Sequence, residues 1–348
     1  MRAVRFHAAG DLRVEDLARN EPGAGEVAIE VAWCGVCGSD LHEYQGGPVA
    51  IPAAGRPHPL TGATAPLTLG HEFSGTVSTL GPDVTGFTVG NAVAVEPLLC
   101  DGTCGSCRSG RYNLCRQLAF IGLSAHGGGL AEQAIVPAGT LHRVPPDVPL
   151  DAAALAEPAA VAWHAVDRAE LAPGDAALVI GAGPVGLAVT AVLRHRGAGR
   201  IIVSEPSPAR RTAALRLGAD AVLDPAEGDA AQVARGAAAA FDCAGRPEAP
   251  ETGLRAVRPG GRVVIVAQPV DSITLPPARL IYLEVTLTGS IGYAGVFPEV
   301  LAAMAGGLDL LPMISRREPL DQVPGLIAEL AAGAGNELKV LFGAGARH

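Results

Sequence analysis

No stretch of the chain reaches the roughly 18 uninterrupted apolar residues of a membrane-spanning helix, which excludes that class by pattern. The opening Met1-Arg2-Ala3-Val4-Arg5-Phe6-His7 lacks the apolar core of a secretory signal, so the expected compartment is the cytoplasm. Clusters of Lys and Arg are also missing. With 26 basic against 35 acidic residues and a net charge of −9, the chain offers no phosphate-neutralising stripe, and nucleic acid is excluded as a partner. There is no internal repeat, no obvious linker and no low-complexity segment. Gly and Pro are numerous, at 45 and 28 residues, but they stand at turns and motif positions. The run Ala237–Ala240 reads as compositional bias rather than as a signal.

What is present suits a globular protein. At 348 residues the chain is long enough for two domains, and at 49% apolar it can build large cores. Its seven cysteines are Cys34, Cys37, Cys100, Cys104, Cys107, Cys115 and Cys243. Without a secretory signal a disulfide framework is not expected. Clustered cysteines then point to metal binding or redox work.

Two organisations follow one another. Up to about residue 150 the pattern is of short β-rich runs, Val27–Val31, Ser74–Thr79 and Ala92–Glu96, separated by long connections that carry most of the Cys and His. From Asp151 to Ala169 the chain is Ala-rich and helical in character. Beyond it strands and helices alternate. The strand-like runs are Ala176–Ile180, Arg200–Ser204, Ala221–Leu223, Ala238–Asp242, Val263–Val266 and Val285–Ser290. Helical runs are Val185–Arg196, Ser207–Leu217 and Phe297–Ala305, and Leu338–Phe342 is a terminal strand. Such alternation predicts an α/β domain with a parallel sheet covered on both faces.

Within that alternation, Gly181-Ala182-Gly183-Pro184-Val185-Gly186 follows an apolar strand and opens a helix, the context that gives a GxGxxG run meaning. Gly181 allows the tight turn, Gly183 lets the backbone approach a pyrophosphate, and Gly186 lets helix and strand pack closely. The helix N-terminus beginning at Pro184 and Val185 meets the phosphates with free N–H groups. Glu205 ends the next strand, where a carboxylate accepts from ribose hydroxyls and repels a 2′-phosphate. NAD is therefore favoured over NADP. Arg210 and Arg211 temper that preference, since either can stack on adenine or bind a phosphate. The competing reading is a glycine turn without a nucleotide.

Two groups of residues have metal-ligand chemistry. Cys100, Cys104, Cys107 and Cys115 place four thiolates within a short stretch, which suits a closed structural zinc. The alternative is a set of free or redox thiols. The second group is assembled from distant positions: Cys37 in CGVCGSDLH, His71 and Glu72 in GHE, and Glu157 in AEP. One thiolate, one imidazole and a carboxylate with an open position describe a catalytic zinc.

These residues, together with CGVCGSDLHEYQGG (34–47), HPLTGATAPLTLGHEF (58–73), RYNLC (111–115), FIGL (120–123) and GSIGYAGVFP (289–298), resemble the zinc-containing medium-chain dehydrogenase/reductase family over essentially the whole chain. The resemblance implies a GroES-like β-barrel catalytic domain from residues 1–155 and 292–348, and a Rossmann dinucleotide-binding domain from residues 156–291. It implies hydride transfer between NAD(H) and a small alcohol or ketone. Vicinal diols and acyloins (2,3-butanediol, acetoin, diacetyl) come first, with sorbitol-type polyols or L-threonine as alternatives. A non-catalytic NAD(H)-binding protein is the distant one. Cys37 and His71 would hold the catalytic zinc, with Glu72 and Glu157 as the remaining candidates, either ligating directly while the other acts through water. Ser39 would hand on the alcohol proton to His42, Asp40 would back a zinc ligand, and Cys34 would be packed rather than ligating. Val266 and Ile291 would be further cofactor contacts. A homo-oligomer, dimer or tetramer, is expected. Two departures stand out. Many relatives space the structural-zinc cysteines x2-x2-x7, whereas one extra residue lies between Cys100 and Cys104; and His126 interrupts a glycine-rich run. Tyr44–Thr68 is a long Pro- and Gly-rich insertion between the first two metal motifs, either a cap over the site or a plain surface loop.

Overall fold

The computed structural model describes residues 1–267, 272–273, 275–333 and 337–343. The chain divides into two compact units. One comprises Met1–Glu157, Phe297–Ala305 and the residues from Ile314 on; the other comprises Pro158–Val296 and Gly306–Met313.

The first unit is built mainly on antiparallel strands, with Ile314–Pro319 pairing parallel to Lys339–Gly343. Its larger sheet runs in the order Leu141–Arg143, Ala92–Val95, Glu72–Leu80, Glu26–Gly35, Lys339–Gly343, Ile314–Pro319, with Gln133–Pro137 also paired to Glu26–Gly35. The sequence runs that read as strands near residues 27, 74 and 92 lie at its centre. A smaller sheet joins Asp11–Asp16, Arg2–Ala8 and Leu67–Thr68. Between them lies an apolar core that includes Phe6, Ile29, Leu67, Phe73, Leu130 and Phe342, all essentially without solvent contact. The terminal strand Lys339–Gly343 pairs antiparallel with Glu26–Gly35, Leu341 opposite Gly35 and Phe342 opposite Cys34.

The second unit carries a six-stranded, wholly parallel sheet. Its order is Ala221–Leu223, Ile201–Ser204, Ala177–Ile180, Ala237–Asp242, Val257–Ile265, Thr286–Gly289. The chain therefore leaves the first strand Ala177–Ile180 in both directions, the doubly wound arrangement. Ala177–Ile180, Ile201–Ser204 and Ala237–Asp242 are buried along their whole length, as covered parallel strands must be, so they read as continuous apolar runs. The Ala237–Ala240 run is part of this sheet. Alanine is a poor strand former, yet at Ala240 a larger side chain would crowd the neighbouring helix. The helix Ala249–Ala256 approaches so closely that a Cβ on Gly253 would lie 3.2 Å from the Ala240 Cβ and 3.0 Å from Val263. Tertiary packing overrides propensity.

The expected helix over 151–169 is two helices, Leu150–Ala153 and Ala156–Ala169. Pro158 explains the break: it has no N–H to give to the Ala154 carbonyl, and its ring would clash there. Pro158 is tolerated in the first turn of the second helix.

Candidate active site

Strand register creates the first site. In the pairing of Glu26–Gly35 with Glu72–Leu80, Gly35 stands opposite Glu72. Cys37, two residues past the end of one strand, is thereby brought beside His71 and Glu72 at the start of the other. One ligand atom from each of Cys37, His71 and Glu72 lies within 4.8 Å of the others. Glu157, in the first turn of Ala156–Ala169, is buried and acts electrostatically on His71. Gly70 makes the turn into His71 with φ +97; a Cβ there would meet the Cys34 sulfur at 2.6 Å and the Leu130 nitrogen at 2.7 Å. Cys34 itself is fully buried, its thiol reaching only the Gly35 carbonyl at 3.6 Å, so it packs and does not ligate.

Cys37 caps the helix Gly38–Gly46, which carries the other expected residues. Asp40 accepts from the Cys37 backbone N–H at 2.9 Å through one oxygen. Its second oxygen is buried without a hydrogen bond, 3.7 Å from the equally unpartnered Nδ1 of His71. This is the carboxylate-behind-imidazole arrangement that orients a metal-binding histidine. The other ring nitrogen, Nε2, lies 3.2 Å from Ser39 Oγ. His42 is one helical turn beyond Ser39 and exposed.

The charge balance of this pocket is lopsided. Burial opposes protonation of His71, but Asp40, the Cys37 thiol and Glu157 outweigh it and push its pKa up to about 10. The donor set of thiol, imidazole and carboxylates, carrying excess negative charge, fits a divalent cation of zinc's preferences.

Lys339 gave no clear signal in the sequence. Lys339 is 2% exposed, and its ammonium donates to the Val36 carbonyl at 2.8 Å and to Glu72 Oε1 at 2.6 Å, with Glu72 Oε2 also in contact. Burial alone would lower the Lys339 pKa, but Glu72 and Cys37 raise it, so the ammonium is kept. Gly35 leaves room for this pair, since a Cβ there would sit 2.3 Å from Glu72 Oε2. The only signal in sequence was one cation in an otherwise apolar terminal strand.

The insertion after this helix is ordered. The buried carboxylate of Glu43 accepts from the backbone of Val49 at 2.9 Å, Ala50 at 2.5 Å and Ile51 at 3.2 Å, and Ile51 enters the core. Thr61 donates to the Ser124 carbonyl at 2.6 Å. His126 is exposed, and the structure gives it no role.

In the second unit the glycine turn behaves as its spacing predicts. Gly181 has φ +90, and a Cβ on Gly186 would lie 1.9 Å from the Gly181 carbonyl oxygen. A Cβ on Gly183 would meet open space. Gly183 borders a cavity of about 950 Å³, also lined by Gly181, Glu205, Arg210 and Arg246, at the carboxyl ends of the parallel strands. That size and position suit a dinucleotide. Pro184 and Val185 begin the helix Pro184–His195. Glu205 is buried, and its two oxygens accept from Ala182 N–H at 2.7 Å and Ser207 N–H at 2.9 Å, which fixes the carboxylate while leaving each oxygen a further lone pair. Arg211 is committed to the carbonyls of Glu205 and Pro206 and to Asp224, whereas Arg210 faces the cavity. Val266 and Ile291 follow the strands Val257–Ile265 and Thr286–Gly289 on the same carboxyl edge, outside that cavity's lining.

The cysteine lobe departs from expectation. Cys104, Cys107 and Cys115 are gathered with Asp101, their ligand atoms within 4.8 Å of one another; Cys100 is not in the group. Cys100 follows the strand Leu98–Leu99, one residue before Asp101. Hydrogen bonds from the Cys104 and Thr103 backbones hold the Asp101 carboxyl well below the usual carboxylate range. The sequence signal was the x2-x2-x7 spacing counted from Asp101 instead of from a cysteine.

Comparison with known proteins bears on both halves of the chain. Residues 23–146 match the alcohol dehydrogenase GroES-like domain, and residues 184–306 match the zinc-binding dehydrogenase family. The (R,R)-butanediol dehydrogenase of Neisseria gonorrhoeae is 38% identical, with 93% of each chain covered. That of Bacillus subtilis is 41% identical over 88% of this chain and 89% of the relative. The crystal structure of 2R,3R-butanediol dehydrogenase from Bacillus subtilis superposes with a TM-score of 0.91 at 37% identity, covering 98% of this chain and 99% of that one. With the glycine turn, the thiol–imidazole–carboxylate pocket and the cysteine lobe in place, the chain belongs to the zinc-binding alcohol dehydrogenases of the medium-chain dehydrogenase/reductase family.

Proposed function

We propose that the chain transfers hydride between NAD(H) and a vicinal diol or its acyloin, with 2,3-butanediol, acetoin and diacetyl as the foremost substrates. The observation that carries this reading is the convergence of Cys37, His71 and Glu72 within 4.8 Å, with Ser39 Oγ 3.2 Å from the imidazole. The named activity of the relatives supports the choice of substrate. Cys37 and His71, with Glu72 or Glu157, would hold zinc. Zinc bound there supplies a Lewis acid that lowers the pKa of an alcohol or polarises a ketone. NAD supplies the hydride acceptor, and the protein's task is to orient it.

The chain's own residues do the rest. Asp40 fixes the His71 ring so that Nε2 stays available as a donor atom. Lys339 neutralises part of the negative charge on Glu72. Ser39 Oγ accepts the proton lost from the substrate hydroxyl as it passes its own to His42, exposed one turn along the helix, which releases it to water. The Glu205 carboxylate, already aligned by two backbone N–H groups, accepts from the ribose hydroxyls and disfavours a 2′-phosphate, so NAD is used in preference to NADP.

A panel of butanediol isomers, acetoin, sorbitol and threonine, each with NAD and with NADP, tests the assignment. The highest kcat/KM is expected for a butanediol isomer with NAD. A higher value for sorbitol or threonine would transfer the chain to a polyol or amino-alcohol substrate.

We further infer a cytoplasmic homo-oligomer, dimer or tetramer. Among the described residues no helix is long and apolar enough to cross a membrane. The strand Thr286–Gly289 ends the parallel sheet, and Ile281, Tyr282 and Ile291 around it are strongly exposed. Light scattering that returned a monomer mass would remove the oligomer.

A further inference from the structure

We propose that Asp101, rather than Cys100, is the fourth ligand of the cysteine lobe, completing a tetrahedral site of one carboxylate oxygen and three thiolates for zinc. The inference does not depend on the substrate or on the catalytic pocket.

The sulfur geometry is that of a metal cage. Cys104 Sγ and Cys107 Sγ are 3.5 Å apart. A disulfide would bring them to about 2.05 Å. Tetrahedral zinc with bonds of about 2.3 Å to sulfur sets the edge between two thiolates at roughly 3.7 Å. Cys115 is aimed by its own turn. Its sulfur accepts from the backbone N–H of Asp101 at 3.4 Å and of Gln117 at 3.3 Å, and such outer contacts orient a metal ligand.

Asp101 does two jobs that cysteine could not combine. One of its oxygens, Oδ1, accepts from Thr103 N–H at 2.7 Å and Cys104 N–H at 2.8 Å, closing the turn that aims Cys104 inward. Its other oxygen is left for a ligand, and a carboxylate oxygen is an accepted zinc donor at about 2.0–2.2 Å. Three thiolates and one carboxylate carry the same charge as four thiolates, so the site keeps its electrostatic balance. Cys100 sits before this turn, at the end of the strand pair Leu98–Leu99 and Ala119–Phe120, where Leu99 faces Ala119.

The lobe depends on such a cage. Its helix Gly105–Arg108 buries no residue, and the short turn Tyr112–Leu114 buries only Asn113. A metal takes the place of the missing core.

The test uses the purified zinc-loaded protein, with metal counted by mass spectrometry and zinc transfer to a chelator followed in time. Cys100→Ser is expected to retain about two zinc ions per chain, as the wild type does. Asp101→Asn keeps an oxygen acceptor for the turn but removes the anionic ligand; one of its two ions should be lost to chelator at least about tenfold faster. Loss of an ion from Cys100→Ser with normal retention in Asp101→Asn would overturn the assignment, as would normal retention in both. A second readout needs no variant: alkylation of the native wild type by N-ethylmaleimide should label Cys100 without zinc release and spare Cys104, Cys107 and Cys115. Zinc release in step with Cys100 labelling would contradict the proposal.

Discussion

Replacing Cys37 by Ser, or His71 by Ala, is expected to lower kcat/KM for the preferred diol by roughly a thousandfold or more while leaving NAD affinity nearly unchanged. The magnitude follows from what is lost. A Lewis acid at the reacting oxygen contributes several kcal/mol to the barrier, and each 1.36 kcal/mol is worth about tenfold in rate. The two variants remove one donor each from a set whose ligand atoms lie within 4.8 Å. The nucleotide cavity is built by other residues, Gly181, Gly183, Glu205 and Arg210 among them, which neither substitution touches. Steady-state kinetics paired with NADH titration by fluorescence separates the two effects. Near-normal turnover in either variant would mean that this pocket is not where the chemistry occurs.

The second large effect is on stability. In the zinc-free protein, where no cation compensates Glu72, Lys339→Met should destabilise the fold by about 3–5 kcal/mol, the usual consequence of leaving one member of a buried ion pair alone. Here the stranded group is Glu72, 1% exposed, with Cys37, Asp40 and Glu157 as further negative neighbours. The double variant Lys339→Met with Glu72→Gln removes both charges and should recover most of the loss, because a pair deleted together leaves no uncompensated charge. Urea unfolding of the two variants beside the wild type measures both quantities. A single-variant cost below about 1 kcal/mol, the level of an exposed pair, would show that the Lys339–Glu72 contact is solvated in solution.

The centre of the parallel sheet was legible because Ala177–Ile180, Ile201–Ser204 and Ala237–Asp242 are buried along their whole length and so appear as unbroken apolar runs. Cys37 and His71 were legible because their residue types have few other reasons to stand in such motifs. Local pattern is weaker elsewhere. The helix Gly38–Gly46 begins and ends on glycine and has no apolar stripe; the Cys37–Asp40 cap and a bond from Gln45 to the Ala331 carbonyl at 2.6 Å hold it. Lys339 lies 267 residues from Glu72, and only the return of the last strand beside Glu26–Gly35 brings them together. Asp101 was hidden by its type. A carboxylate next to four cysteines reads as solvated charge until the turn it closes is visible.

Metal removal tests the central claim most directly. The wild-type protein, stripped of zinc by chelation and saturated with NAD, should reduce no nicotinamide on addition of (R,R)-butanediol. Zinc alone should restore the rate in proportion to the ion bound. Full turnover in the metal-free protein, or none in the fully reloaded one across all small alcohols, would contradict the account.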